Sequence, residues 1–224
     1  LGYVPEPRTV FVGTHKLPPG HTLTIRRGRP LPPPACYWDV EFTLDSTISD
    51  DEAQEELVRR LRESVRLRMI SEVRLGGCLS GGVDSSAVVA SMATQSASPV
   101  KTCSISFADP AFDESAYARE VAARYNTDHF VEQVDSDDYS LIDELVGLYD
   151  EPYADSSAIP TYRVCQLART RVTVALSGDG GDESFGGYRR YRMHMNEDRI
   201  RSMLPLTVRR PLFGALGSAY PKLD

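Results

Sequence analysis

Apolar residues recur at two different periods along most of the chain. Ala53, Leu57, Leu61 and Val65 return every fourth residue, with Val58 and Met69 beside them. This spacing predicts an amphipathic helix from Ser49 to about Ile70. Ser49 or Asp50 can cap it, ahead of an acidic first turn of Asp50, Asp51 and Glu52. Arg59, Arg60, Arg62, Arg66 and Arg68 then read as its solvated face. Beyond it, short apolar runs alternate with helical ones. Residues 73–79, 101–107, 129–134 and 171–176 read as strands. Residues 84–94, 114–125, 139–149 and 161–169 read as helices, with 151–160 a polar loop closed by proline at each end. The tail from Tyr188 reads as mostly helical, interrupted at Pro205 and Pro211. Strands alternating with helices predict an α/β fold with a mainly parallel sheet covered on both faces.

The first forty residues follow another pattern. They hold Pro5, Pro7, Pro18, Pro19, Pro30 and the run Pro32–Pro34. Between them lie two strand-like pieces, Thr9–Val12 and His21–Ile25, and turns at 17–20 and 26–30. A β-rich edge followed by a proline-stiffened linker is expected there. It is too short to bury a core of its own, so 1–40 is expected to belong to a preceding domain and 41–224 to form the main one.

Composition narrows the function classes. Lys plus Arg total 25 against 32 Asp plus Glu, a net charge of -7. That argues against a generally basic nucleic-acid binder, leaving only the Arg-rich stretches 59–68 and 189–201 as a weak route to RNA. No run approaches 18 apolar residues, so no membrane span is predicted. Cys36, Cys78, Cys103 and Cys165 form no CxxC pair and have no histidine at zinc spacing. They read as reduced thiols packed in or near a core, in a cytoplasmic protein.

The chemistry gathers in loops. Ser80-Gly81-Gly82-Val83-Asp84-Ser85-Ser86 lies between a predicted buried strand and a helix. Two glycines let the backbone approach an oxyanion, and the helix N-terminus points its free N–H groups at the same place. Three hydroxyls add donors. Asp84 would repel a bound phosphate, and a divalent cation between them resolves the conflict, so Mg²⁺ is implied. The lysine and spacing of the Walker loop are absent. A second glycine loop, Ser177-Gly178-Asp179-Gly180-Gly181-Asp182-Glu183, also follows a predicted strand. In a parallel sheet both loops would open at C-terminal strand edges, where ligands bind, which makes a shared Mg-ATP site the expectation. None of the serines has a histidine partner in the sequence, so a serine-hydrolase reading fails.

The first loop resembles the PP-loop of ATP pyrophosphatases. Two further segments widen the likeness: Asp150-Glu151-Pro152-Tyr153-Ala154-Asp155-Ser156-Ser157-Ala158-Ile159-Pro160, and Ser106-Phe107 followed by Phe112-Asp113-Glu114-Ser115. These segments in this order, with SFGGYRRY at 184–191 and GYVPEPRTV…KLPPGH near the start, resemble the synthetase domain of glutamine-hydrolysing asparagine synthetases. The DGGDE form and the final YPKLD look most like bacterial amidotransferases, some of which serve exopolysaccharide or exosortase-linked gene clusters. The resemblance implies a PP-loop fold, ATP and Mg²⁺. It implies that a substrate carboxylate, aspartate or a related one, is adenylated with release of pyrophosphate. Ammonia from glutamine then displaces AMP to form the amide.

Residue by residue, the resemblance implies that Leu79 and Ile105 line adenine and ribose. Ser177 and Gly178 would contact the nucleotide, and Ser80, Gly81, Gly82, Ser85 and Ser86 would cradle pyrophosphate. Asp84 and Asp182 would hold Mg²⁺. Asp179 would stand near the reacting carboxylate and ammonia, with Glu183 beside it in the catalytic loop. Asp155 and Ser156 would lie by the acceptor. Asp113 and Glu114 could serve there or cap the following helix. The likeness leaves room for a homodimer, and implies neither nucleic acid nor membrane as partner. It also departs from the family. The glutaminase cysteine has no counterpart, Lys222 does not match the lysine that contacts the reacting groups, and Cys78 and Ser184 replace larger apolar residues. A fragment that keeps its nucleotide loops but turns over poorly or not at all is therefore one alternative, as an ATP-binding scaffold. Another PP-loop enzyme is a further one.

Overall fold

The computed structural model describes residues 2–43, 47–111, 113–134, 139–203 and 205–219. Phe112, and Lys222 in the closing YPKLD, lie outside the described residues. The proline-rich start forms little regular structure. Strands β1 (His21–Thr22) and β2 (Ala35–Cys36) pair antiparallel, His21 opposite Cys36 and Thr22 opposite Ala35. The expected strand 21–25 stops after two residues, because its partner run begins only after Pro32–Pro34, which have no N–H to donate. The expected strand Thr9–Val12 is a turn. The Thr9 hydroxyl accepts from the Phe11 N–H at 3.1 Å and lies 3.0 Å from the Thr14 carbonyl, so a side chain meets the local backbone's needs.

Helix α1 (Asp50–Arg68) is capped by Ser49, not Asp50. The Ser49 hydroxyl accepts from the Glu52 N–H, and the Glu52 carboxylate accepts from the Ser49 N–H at 3.0 Å, a reciprocal capping box. Its arginine face is laced with acids: Glu56 pairs with Arg59 and Arg60, and Glu63 with Arg66. The Glu56 carboxyl is held down at about 2 by those two guanidinium groups. On this exposed face Arg59, Arg60 and Arg66 are therefore already engaged by acids, and Arg68 by the Ser64 hydroxyl and carbonyl.

Then follow β3 (Leu75–Cys78), α2 (Val83–Gln95), β4 (Lys101–Phe107), α3 (Ser115–Arg124) and β5 (Asp128–Val134). A 3-10 turn at Tyr139–Leu141 leads into α4 (Ile142–Leu148). Helix α5 (Ala158–Arg171) starts three residues earlier than expected. Pro160 sits in its first turn, where its missing N–H would have had no partner anyway. Strand β6 (Val174–Leu176) completes a four-stranded parallel sheet ordered β5-β4-β3-β6. The expected α/β class with a helix-flanked parallel sheet is what the chain forms.

The sheet core is built around two adjacent glycines. Successive residues of a strand face opposite sides. A Cβ on Gly77 would meet Val89 and Met92 of α2, and one on Gly76 would meet Val172 just past α5. Glycine at both positions lets the helices on the two faces approach closely. On one side Leu79, Val89, Ala118 and Ala122 form a cluster, continued by Val65, Met92 and Val100 under α1. On the other, Cys103 packs with Leu167, Ala168 and Val172. Of the cysteines only Cys103 is buried, and Cys78 is half-buried. Cys36 and Cys165 are exposed, against the expectation that all four pack as core residues. They lie at the short β1–β2 ladder and on an outward position of α5, where no second layer covers them.

The chain divides into two compact units between Ser177 and Gly178. The second unit holds α6 (Gly181–Phe185), α7 (Arg189–Ser202) and α8 (Leu206–Ala219). Helix α6 is a correction to the reading of Ser177 to Glu183 as loop throughout. Pro211 lies inside α8 and does not end it, leaving one rung of that helix unmade. Among the described residues no helix is long and apolar enough to cross a membrane.

Candidate functional site

The end of β3 is fastened before the loop begins. The Leu79 N–H donates to the Cys103 carbonyl at 2.9 Å, and the Ser104 hydroxyl donates to the Leu79 carbonyl. The Leu79 side chain is fully buried in the α2–α3 cluster, so it presents no surface of its own to a ligand. Ile105, two positions past Cys103 on β4, is half-buried.

The loop then turns through Gly81 at φ +92°. A Cβ there would stand 2.8 Å from the Ala118 nitrogen and 2.8 Å from the Tyr117 Cβ, so only glycine fits both the conformation and the space. The serines have distinct tasks. Ser85 is buried and ties the loop together: its hydroxyl accepts from the Ser80 N–H at 3.2 Å, lies 2.9 Å from the Ser80 hydroxyl, and donates to the Gly82 carbonyl at 3.2 Å. Ser80 is exposed, and its hydroxyl accepts from the Gly82 N–H. The Ser86 hydroxyl is buried without a hydrogen-bond partner. Gly82 caps α2 with no side-chain bond to the helix N–H groups. Buried hydroxyls are normally satisfied, so an orphan beside an uncapped helix start fits an anionic ligand. Asp84 is half-buried in the first turn of that helix.

Strand order adds to this. Strand β3 connects onward to β4 on one side, while β6 pairs on its other side with Gly77 opposite Leu176. The order reverses at β3, the kind of switch point at which α/β sheets bind ligands beyond the strand ends. Ser177 follows β6 directly and is exposed.

The second glycine loop is described within its own unit. Gly180 also has φ +92° and caps α6, but a Cβ there would meet nothing within 4 Å. The Gly178 carbonyl accepts from the Gly181 N–H. Asp179 is exposed, and Asp182 is half-buried with its carboxylate against the backbone of Gly187, where a Cβ would clash. The Glu183 carboxylate accepts from the Tyr188 hydroxyl at 2.7 Å. That bond lowers the Glu183 carboxyl below its ordinary value and pushes the Tyr188 phenol up to about 12. Among the described residues no three acidic, histidine or cysteine side chains gather closely enough to hold a metal by themselves.

Two further segments are resolved differently. Asp113 acts at the start of α3: its carboxylate accepts from the Ser115 N–H at 3.1 Å and the Ser115 hydroxyl at 2.9 Å, and these bonds lower its pKa. Glu114 supplies backbone only, its carbonyl accepting from Tyr117 and Ala118. Asp155 and Ser156 are exposed in a turn, in which the Asp155 carboxylate accepts from the Ser157 N–H at 2.9 Å.

Comparison with known proteins gives these loops a setting. The family model described as asparagine synthase matches residues 56–222. The chain belongs to the asparagine synthase family. The chain is 37% identical over 191 residues to asparagine synthetase [glutamine-hydrolyzing] 1 of Bacillus subtilis, covering 85% of this chain and 30% of that protein. A Methanocaldococcus jannaschii protein carrying the asparagine synthetase name is 36% identical over 205 residues, 91% of this chain and 39% of its own length. The chain thus spans between three and four tenths of these two relatives. Among solved structures, NH3-dependent NAD synthetase from Campylobacter jejuni is similar over 60% of each chain, at 14% identity and a TM-score of 0.42.

Sequence reasoning missed three sets of contacts, two of them at these loops and one on α1. The Glu183–Tyr188 bond had only a weak cue, a turn-forming glycine pair, Gly186–Gly187, directly between the two residues. The acid partners of the α1 arginines stood at helical spacing, three and four residues away. The third, between Lys16 and Glu151, had no cue, since 135 residues separate the two.

Proposed function

We propose that this asparagine-synthase-family chain forms the ATP-binding and carboxylate-activating part of an amide-forming ligase. The observation that carries the reading is the loop after β3. It combines a glycine that cannot be replaced, an uncapped helix start and an orphaned buried hydroxyl, Ser86. All three suit the phosphates of a nucleotide. In this reading Ser80, Gly81, Gly82, Ser85 and Ser86 hold pyrophosphate oxygens, and the half-buried Ile105 borders the nucleoside, while Leu79, sealed in the core with its N–H and carbonyl both bonded to β4, only supports the loop from beneath. Ser177 and Gly178 add backbone contacts to the same nucleotide.

Mg²⁺, if bound, would supply charge neutralisation at pyrophosphate, and Asp84 of the first unit would be the carboxylate that holds it, with Asp182 of the second unit proposed for the same role. One or two carboxylates suffice, since this ion takes most of its remaining ligands from phosphates and water. Asp179 and Glu183 act at the acyl transfer. A carboxylate at 179 can orient incoming ammonia by accepting its hydrogens, and Glu183, kept ionised by Tyr188, holds negative charge behind it. Asp155 and Ser156 border the acceptor, aspartate or a related carboxylate. Orientation and charge stabilisation supply the rate, with no covalent nucleophile. The ammonia would come from glutamine, which the relatives are named as hydrolysing, and the reaction would run in the cytoplasm.

Titration calorimetry with ATP, and with GTP and AMP as controls, tests the site. Selective Mg-ATP binding is expected. Asp84→Asn should weaken Mg-ATP far more than ATP in EDTA, and equal losses would remove the metal role from Asp84. In an assay of amide formation from ATP, L-aspartate and ammonium chloride, Asp179→Ala should abolish product while leaving the circular dichroism spectrum unchanged. Unaltered turnover would take Asp179 out of the site.

A further inference from the structure

The proline-rich start of the chain reaches across to the loop between α4 and α5. The Ala154 N–H donates to the Gly2 carbonyl at 2.7 Å. Gly2 is held so close that a Cβ there would stand 2.8 Å from the Ala154 oxygen. Next to this contact, the Lys16 ammonium donates to the Val4 carbonyl at 2.8 Å and to the Glu151 carboxylate at 2.5 Å. Both side chains of that ion pair keep only 26% of their surface exposed. The Lys16 N–H in turn donates to the Pro7 carbonyl at 2.9 Å, which closes 7–16 into a loop carrying the lysine at its end.

The 150–157 segment has local supports of its own. Tyr149 and Tyr153 stack at 4.6 Å between centroids, and Asp155 closes a local turn on Ser157. Residues 152–157 are all exposed. Its end is joined to α5 through the Asp155 and Ser157 carbonyls, which accept from Ala158 at 3.1 Å and Thr161 at 2.9 Å. The contacts from Gly2 and Lys16 add a grip from a distant part of the chain at 151 and 154, immediately before Asp155 and Ser156.

We propose that residues 2–16 form a strap that positions the 150–157 loop, with Lys16 as its positioning residue, and that the strap thereby sets affinity for the acceptor carboxylate. The second half rests on the reading above, in which Asp155 and Ser156 border the acceptor. Lys16 suits the task because one ammonium satisfies the strap's own backbone and the loop's carboxylate at once. Charge-assisted bonds of this kind are stronger than neutral ones, and partial burial protects them from screening.

The test compares wild type with Lys16→Met, Glu151→Gln and Lys16→Arg. Amide hydrogen exchange is read at Ala154, with the amides of β4 as internal control. Loss of one charge-assisted bond should speed exchange at Ala154 by about tenfold or more in Lys16→Met and Glu151→Gln. Lys16→Arg should restore protection, and β4 should be unchanged. Unaltered exchange at Ala154 in Lys16→Met overturns the strap, whatever the protein catalyses. Pyrophosphate release dependent on L-aspartate and ammonium is then measured on the same proteins. A KM for aspartate raised about tenfold, with the KM for ATP and kcat within twofold of wild type, supports the coupling to the acceptor. Faster exchange with an unchanged aspartate KM overturns that coupling. If wild type itself releases no pyrophosphate with aspartate, the reading of the acceptor fails, and the strap stands or falls on exchange alone.

Discussion

Gly81 and Gly180 share a φ of +92°, and each precedes a helix in a glycine-rich loop, yet their surroundings differ. Gly81 is pressed against the backbone at the start of α3, and its loop rests on Leu79, Ala118 and the buried Ser85. Gly180 faces open space, and the acids around it are exposed or half-buried. The first loop is therefore shaped by the core beneath it. The second is shaped by its own backbone and by two nearby contacts, Asp182 against Gly187 and Glu183 on Tyr188. Preorganised donors for phosphate belong on the first kind of support, because any looseness there costs binding. Carboxylates that meet a metal or a small nucleophile tolerate the second.

Substitutions can separate the two kinds of support. The largest effect is expected from Leu79→Ala, which opens a cavity directly under the first loop and should cost about 3 kcal/mol in urea unfolding. Next comes a pair. Gly81→Ala combines a left-handed backbone with a collision against backbone atoms, and should cost about 2 kcal/mol or more. Gly180→Ala meets only the conformational penalty, about 1 kcal/mol. Equal losses at the two glycines would mean that the core does not shape the first loop. The smallest effect is expected from Tyr188→Phe. Removing the donor should let the Glu183 carboxyl rise toward its ordinary 4.5, followed by carboxylate NMR, with only a slight fall in the unfolding midpoint at neutral pH because the group is exposed. The sign follows from the direction of the shift. A carboxyl lowered in the folded state contributes stability above its ordinary range and loses it as pH falls through the lowered value. An unmoved Glu183 titration in that variant would remove Tyr188 as its cause.

Much of the sheet and first loop is legible in the sequence. Strand β4 spans the expected 101–107, and α2 and α3 fall within a residue of their expected bounds, because period and length both point the same way there. The cap at Ser49 is readable because its partner, Glu52, is three residues away. Legibility fails where a local pattern competes with context. Thr9–Val12 has strand-forming residues but no partner strand, and Thr9 turns the backbone back on itself. Gly181–Phe185 is helical although glycine and aspartate favour loops, since Gly180 supplies the left-handed entry and Gly186 the left-handed exit. Cys36 and Cys165 are exposed because thiol burial follows from what packs over a residue, which no single position encodes.

The sequence by itself determined the alternation of strands and helices, the capped first helix and the two glycine loops, since these depend on neighbours within about one helical turn. The tertiary structure alone decided that Leu79 is sealed in the core and that Ser86 is left without a partner. It also decided that Lys16 grips a loop 135 residues away. These outcomes depend on which surfaces meet once the helices cover the sheet, and contacts between distant segments leave no periodic trace along the chain.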